Sequence, residues 1–181
     1  MARTLSIQKL KKGDIAPDFN LLGVDGKYYS LKDFNAEALL IIFICNHCPF
    51  VHARLNDIKA LQDKFKGRLE IVGINSNDAN YEGEGYENMK IFARDNKLNF
   101  VYLFDEKQDV AKEYGATCTP DPFLFDSRRR LVFHGRINDA MDPKDTPRIP
   151  VMENNIRKLL NNEEIEKDFD PSIGCSIKWK Q

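Results

Sequence analysis

Cysteine is scarce in this sequence, at four among 181 residues. That is too few for a disulfide scaffold, so any closely spaced pair points to redox or metal chemistry instead. Charge of one sign is lacking as well, with 27 basic against 28 acidic residues and a formal net charge of -1. A chain so balanced has no electrostatic footprint for nucleic acid or for an anionic membrane surface. Long apolar runs are missing: the longest, Ala38 to Cys45, falls far short of a membrane span. The opening MARTLSIQKLKKGDIAPDF carries Lys9, Lys11, Lys12 and Asp14 and has no apolar stretch of signal-peptide length. No internal repeat, low-complexity tract or Ser/Gly-rich linker marks a boundary. The expectation is a cytoplasmic protein of one domain spanning 1–181, with a core over about 13–160 and a charged tail over 161–181.

What is present alternates between two periodicities. Leu39 to Cys45 is a continuous β-branched apolar run, as in a strand buried on both faces. Val51, Leu55, Ile58, Leu61 and Phe65 recur at helical spacing up to Gly67, and Pro49 suits the first turn of that helix. Leu69 to Ile74 reads as a second buried strand, Glu87 to Asn96 as a helix, and Phe100 to Phe104 as a strand. A short helix near Gln108 to Tyr114 stops at Gly115. Strands at Phe123–Phe125 and Leu131–Arg136 flank the turn-like Asp126 to Arg130, and a last helix covers about Val151 to Leu160. The βαβ order with one tight strand-to-strand link predicts an α/β fold: a mixed sheet with helices on both faces.

Strand, then cysteines, then helix is the informative junction: IFICNHCPF puts Cys45 at the end of a buried strand and Cys48 at a helix start. A thiolate there meets unpaired backbone N–H groups and the positive end of the helix dipole, which lower thiol pKa values. His47, inside the pair, adds a positive charge or a hydrogen-bond donor to the same site and, by stabilising the reduced form, makes a disulfide more oxidising.

Metal binding is the rival reading, since Cys45, Cys48, Cys118 and either His47 or His52 supply soft ligands. No second C-x-x-C or H-x-x-x-H completes a closed set, and the leading expectation is no metal and no organic cofactor. His134, in the strand-like LVFHGRI, reads as a core or edge histidine, and His52 as a solvent-facing one. Glu82-Gly83-Glu84-Gly85-Tyr86 reads as a flexible surface loop, because a phosphate loop would lack its third glycine and its acids would repel the ligand. Arg128 to Arg130 reads as a solvated hairpin tip, and Asp139 to Pro150 as a long connection bordering the site.

Three segments together resemble the thioredoxin superfamily, in its peroxiredoxin-like, alkyl hydroperoxide reductase/thiol-specific antioxidant-like branch. They are Gly13 to Phe19 with Asp25-Gly26-Lys27, then Cys45 to Pro49, then Gly115 to Asp121. The resemblance implies a thioredoxin-like fold and a thiol–disulfide oxidoreductase working on protein or small-molecule disulfide and dithiol partners. It implies Cys45 as the attacking thiol, Cys48 as the resolving one, and Pro120 as a cis-proline that holds the Thr119 backbone for an extended substrate. Cys118, beside that proline, is either a third redox cysteine or a small hydrophobe ending a strand. Cys175 either folds back to the site or merely packs.

The departures are specific. The tryptophan and the buried aspartate that precede the first cysteine in thioredoxins are replaced by Ile44 and Leu39. The proline and Thr/Ser that precede a peroxidatic cysteine have no counterpart at Ala38 and Ile42, and no arginine lies in Thr119 to Pro122. Weak thiol peroxidase activity at Cys45 is therefore the alternative within redox chemistry. Nothing in the sequence specifies an oligomeric state.

Overall fold

A computed structural model describes residues 3–181. Its strands are β1 (Arg3–Leu5), β2 (Leu21–Gly23), β3 (Tyr28–Tyr29), β4 (Ala38–Phe43), β5 (Leu69–Asn75), β6 (Val101–Phe104), β7 (Cys118–Thr119), β8 (Asp121–Phe125), β9 (Leu131–Gly135), β10 (Phe169–Asp170) and β11 (Ile173–Ser176). The helices are α1 (Pro49–Lys64), α2 (Tyr86–Asp95), α3 (Asp109–Tyr114) and α4 (Val151–Leu160). The main sheet runs β10-β9-β8-β4-β5-β6-β2-β3, and a smaller one runs β1-β11-β7. In the main sheet β4 pairs in parallel with β5 and β5 with β6, whereas β8 is antiparallel to both β4 and β9. The mixed α/β class read from the sequence holds.

The central strand shows why its sequence is apolar throughout. Ala38, Leu40 and Ile42 enter one core with Val51, Leu55, Ile58 and Leu61 of α1 and Met152, Ile156 and Leu160 of α4. Leu39, Ile41 and Phe43 enter the opposite core with Val110, Ala111 and Tyr114 of α3 and with Phe123 and Phe125. Alternate side chains of a strand point to opposite faces, so a strand covered on both sides needs apolar residues at every position.

Two differences from the sequence reading bear on the site. The charged tail carries strands that the sequence reading did not assign: β10 pairs with β9, and β11 lies between β1 and β7. The turn at Asp126 to Arg130 is not wholly solvated either. Arg129 is half-buried, donating to the carbonyls of Phe34 at 2.6 Å and Ala36 at 3.1 Å. Among the described residues, no helix is long and apolar enough to cross a membrane.

Candidate active site

The parallel pairing of β4 with β5, Phe43 opposite Ile74, brings their C-terminal ends side by side. Loops beyond the carboxyl ends of neighbouring strands are where α/β sheets place their sites. Cys45 follows β4, and Cys48 is the N-cap of α1 with Pro49 in the first turn. Facing them, between β7 and β8, the Thr119-Pro120 peptide is cis. Cys45 Sγ lies 3.2 Å from the Thr119 hydroxyl, and Cys48 Sγ lies 3.2 Å from the Thr119 carbonyl oxygen. The structure thus brings Cys45, His47, Cys48, Thr119 and Pro120 to one place.

It adds a residue that the sequence reading put on a flexible surface loop. Glu84 is 2% exposed, and its carboxylate accepts from the backbone N–H of Asn46 at 3.0 Å, the backbone N–H of His47 at 3.2 Å and the Asn75 amide at 2.7 Å. The His47 ring Nδ1–H donates to the same carboxylate. In that loop Glu82 and Gly83 remain exposed, and its turns are held by Gly83 and Gly85 at φ of +81° and +86°. The correction has a physical basis: a buried carboxylate is tolerated where several donors satisfy it, and here they come from the loops after β4 and β5. The signal available in the sequence was the loop's position just past the end of β5. A cysteine sulfur, a ring nitrogen and a carboxylate oxygen of Cys45, His47 and Glu84 lie within 4.8 Å of one another.

The linker inside the motif is equally fixed. The Asn46 amide donates to Gly83 O at 3.0 Å and accepts from Tyr102 Oη at 2.9 Å. His52 is exposed as expected, yet its ring does not simply face solvent: Nε2 bonds Asn46 O at 2.7 Å and the ring meets Phe92 edge-on. His134 is a core histidine, stacked on Phe123 and bonded to the buried Asp121 at 2.8 Å, and stands in no metal-ligand cluster among the described residues. The connection 139–150 reaches the site's rim through Ala140, which lines a small pocket with Phe50, Arg54 and Pro120.

The cysteines differ in electrostatics. The Cys48 thiol is pulled down to about 5, chiefly by the hydrogen bond from Cys45, with further donors in Cys175, Thr119 and the Val51 N–H. Burial opposes that fall without cancelling it. The Cys45 thiol is pushed well up, first because it gives its hydrogen bond to Cys48, then by burial and by the Glu84 charge. Burial raises Cys118 as well, and its side chain sits wholly inside. The sequence placed Cys175 either at the site or in plain packing. Its Sγ is 2.9 Å from Cys48 Sγ.

A thioredoxin-like fold carrying a paired-cysteine site against a cis-proline defines a class of thiol redox proteins. Within that class the chain belongs to the AhpC/TSA family, whose sequence profile matches residues 12–134. It is 24% identical over 126 residues to the thiol-disulfide oxidoreductase ResA of Bacillus thuringiensis subsp. konkukian, covering 69% of each chain. It is 30% identical over 110 residues to peroxiredoxin Bcp of Escherichia coli K12, covering 59% of this chain and 65% of that one. Among solved structures, an uncharacterized conserved protein from Geobacillus kaustophilus is similar over 99% of this chain and 97% of its own, with 41% identity and a TM-score of 0.89. The thioredoxin domain of a thiol-disulfide oxidoreductase from Bacteroides vulgatus superposes with a TM-score of 0.67 at 19% identity, over 84% of this chain and all of that one (100%), which speaks to fold alone.

Proposed function

We propose that this protein is a thiol–disulfide oxidoreductase that cycles Cys45 and Cys48 between dithiol and disulfide, acting as one domain on protein or small-molecule disulfides in the cytoplasm. The observation that carries the reading is the meeting of the two sulfurs with Thr119 beside a cis-proline, each within 3.2 Å of a Thr119 oxygen.

Cys45 attacks one sulfur of the substrate disulfide. Its proton must leave first, and the acceptor we assign is the buried Glu84 carboxylate, which lies within 4.8 Å of Cys45 Sγ and has the His47 ring bonded to it. The attack forms a Cys45–substrate mixed disulfide and expels the other substrate sulfur as a thiolate, which takes up a proton. Cys48, the more acidic thiol, then attacks Cys45 Sγ and releases the second substrate thiol. The substrate gains two electrons and the pair becomes a disulfide, which a partner dithiol reduces again. Pro120 and Thr119 shape the wall against which the substrate sulfur lies, and the α1 terminus with His47 tunes the thiolates.

Insulin-type disulfide reduction tests this reading. Cys45→Ser is expected to abolish it with the fold retained by circular dichroism, and unchanged turnover would refute the nucleophile. A second reading, thiol peroxidase at Cys45, draws on the family and on the similarity to peroxiredoxin Bcp. Peroxide consumption with a dithiol donor separates the two.

A further inference from the structure

The edge beside the cis-proline, where an extended substrate would pair, is already occupied by this chain's own tail. Strand β11 runs antiparallel to β7, with Cys175 opposite Thr119 and Ser176 opposite Cys118. Its other side is covered by β1, with Arg3 opposite Cys175. The approach is closer than side chains allow: a Cβ on Gly174 would stand 1.9 Å from the Thr119 carbonyl oxygen. Ser6 and Ser172 anchor the strand's start through reciprocal 2.9 Å bonds. Its far end is anchored by Lys178, whose backbone bonds Asn77 and Asp78 and accepts from Gln108. Beneath this cover Cys45 is 1% exposed and Cys48 0%.

The strand presents a sulfur to the pair. Cys175 Sγ stands 2.9 Å from Cys48 Sγ, within the distance of about 3–3.5 Å or less at which bound groups are poised to react. Cys48 also bonds Cys45, so it is the middle of three sulfurs and has a neighbour on each side. Resting on the oxidoreductase reading above, we infer that β11 is an internal substrate strand and that Cys175 is a third redox cysteine, exchanging with the Cys45–Cys48 disulfide to form Cys48–Cys175. In that step the Cys175 thiolate attacks Cys48 Sγ, the Cys45–Cys48 bond breaks, and Cys45 leaves as a thiolate that takes up the proton Cys175 gave up. No electrons enter or leave. The exchange moves the disulfide one position along the row and returns Cys45 to its thiol form, ready for another substrate. An external dithiol then supplies two electrons and two protons to reopen Cys48–Cys175. A partner strand bearing its own cysteine reaches the site by displacing β11.

The test is stepwise oxidation of the full chain in glutathione buffers, acid quenching, alkylation of remaining thiols and peptide mass analysis. Wild type is expected to yield a Cys48–Cys175 cross-linked peptide beside Cys45–Cys48. Cys45→Ser is expected to keep a reversible intramolecular disulfide made of Cys48 and Cys175 alone. The inference is overturned if wild type lacks that peptide and Cys48 of Cys45→Ser stays reduced or takes up only glutathione. Cys45→Ala serves in the same way should serine disturb the buried site, and the wild-type map needs no variant. Cys175→Ser isolates the parent reading: absence of a Cys45–Cys48 disulfide there sinks the oxidoreductase couple. Presence of that disulfide, with Cys45→Ser forming none, removes only the third cysteine.

Discussion

Glu84 holds His47 by two bonds, accepting from its backbone N–H at 3.2 Å and from its ring Nδ1–H. The middle of the C-x-x-C motif is therefore fixed to a buried acid on a different loop, and that acid's charge falls on Cys45. Thioredoxins carry a buried acid six residues before the first cysteine, where this chain has Leu39. Here a carboxylate reaches the site from beyond β5 instead.

Glu84→Gln is expected to change acidity and rate in opposite senses. Removing the charge lowers the Cys45 pKa, because the Glu84 carboxylate is one of the causes that raise it. Losing the acceptor slows disulfide reduction by about 10²-fold, the low end for general acid–base catalysis. The new amide also faces the Asn75 amide donor, whose own oxygen is already engaged by Asn77 N–H at 3.0 Å. That unsatisfied pair costs about 1–3 kcal/mol. Alkylation of Cys45 as a function of pH, set beside turnover, separates the effects. A Cys45 titration and a rate both unmoved would remove Glu84 from the mechanism.

The same acid sets the expectation for His47→Ala. Without the His47 ring donor the Glu84 charge beside the pair is less compensated and disfavours the anionic reduced site, whose thiolate rests on Cys48, so the reduced state loses support. The Cys45–Cys48 couple is then expected to become more reducing, on the order of 30 mV for each ~1.4 kcal/mol withdrawn. Equilibration with glutathione measures it, and a potential that holds or rises would take the histidine out of the account.

Stability of the reduced protein follows the thiols. In the fold Cys48 is held at about 5 against an ordinary 9.0, so the native state sheds a proton that the unfolded chain keeps. That stabilisation is complete above pH 9, shrinks as pH falls, and is gone below about pH 5. Cys45, pushed up, acts in reverse: it is silent below the ordinary thiol range and destabilises above it, as the unfolded chain ionises. Urea midpoints of reduced wild type minus reduced Cys48→Ala are therefore expected to climb between pH 5 and pH 9. A flat difference would mean that Cys48 is a thiol at neutral pH.

How much of this was legible in the sequence depended on whether an element's stability lies in its own pattern. The six buried residues of β4 and the Val51, Leu55, Ile58 and Leu61 face of α1 declare themselves, because core contact is written into their periodicity. Strands β1, β7 and β11 do not: each is two to four residues long, and β1 and β7 exist through pairing with β11 between them. Cys45, Cys48 and Pro120 stood out by spacing and by resemblance. Glu84 did not, since Glu-Gly-Glu-Gly has the composition of a solvated loop and its burial is decided by donors on Asn46, His47 and Asn75. Cys175 was visible as a residue, but only the register of β11 against Thr119 gives it a neighbour at Cys48.

Gly174→Ala examines the tail without touching a sulfur. The added methyl would meet the Thr119 carbonyl at 1.9 Å and its carbon at 2.6 Å, both backbone atoms that no rotamer change can move aside. Either β11 shifts away from β7 or the cis-proline loop yields, at about 1–3 kcal/mol in folding stability by comparison with overpacked cores. Since β11 covers the pair, its retreat exposes Cys48, now 0% accessible, and native-state alkylation of Cys48 is expected to accelerate several-fold while the main sheet stays folded. Hydrogen exchange at Cys175 and Ser176 should quicken together with it, because those residues lose their pairing with β7. Alkylation as slow as in wild type, with exchange unchanged, would mean that the strand is not the cover over this site.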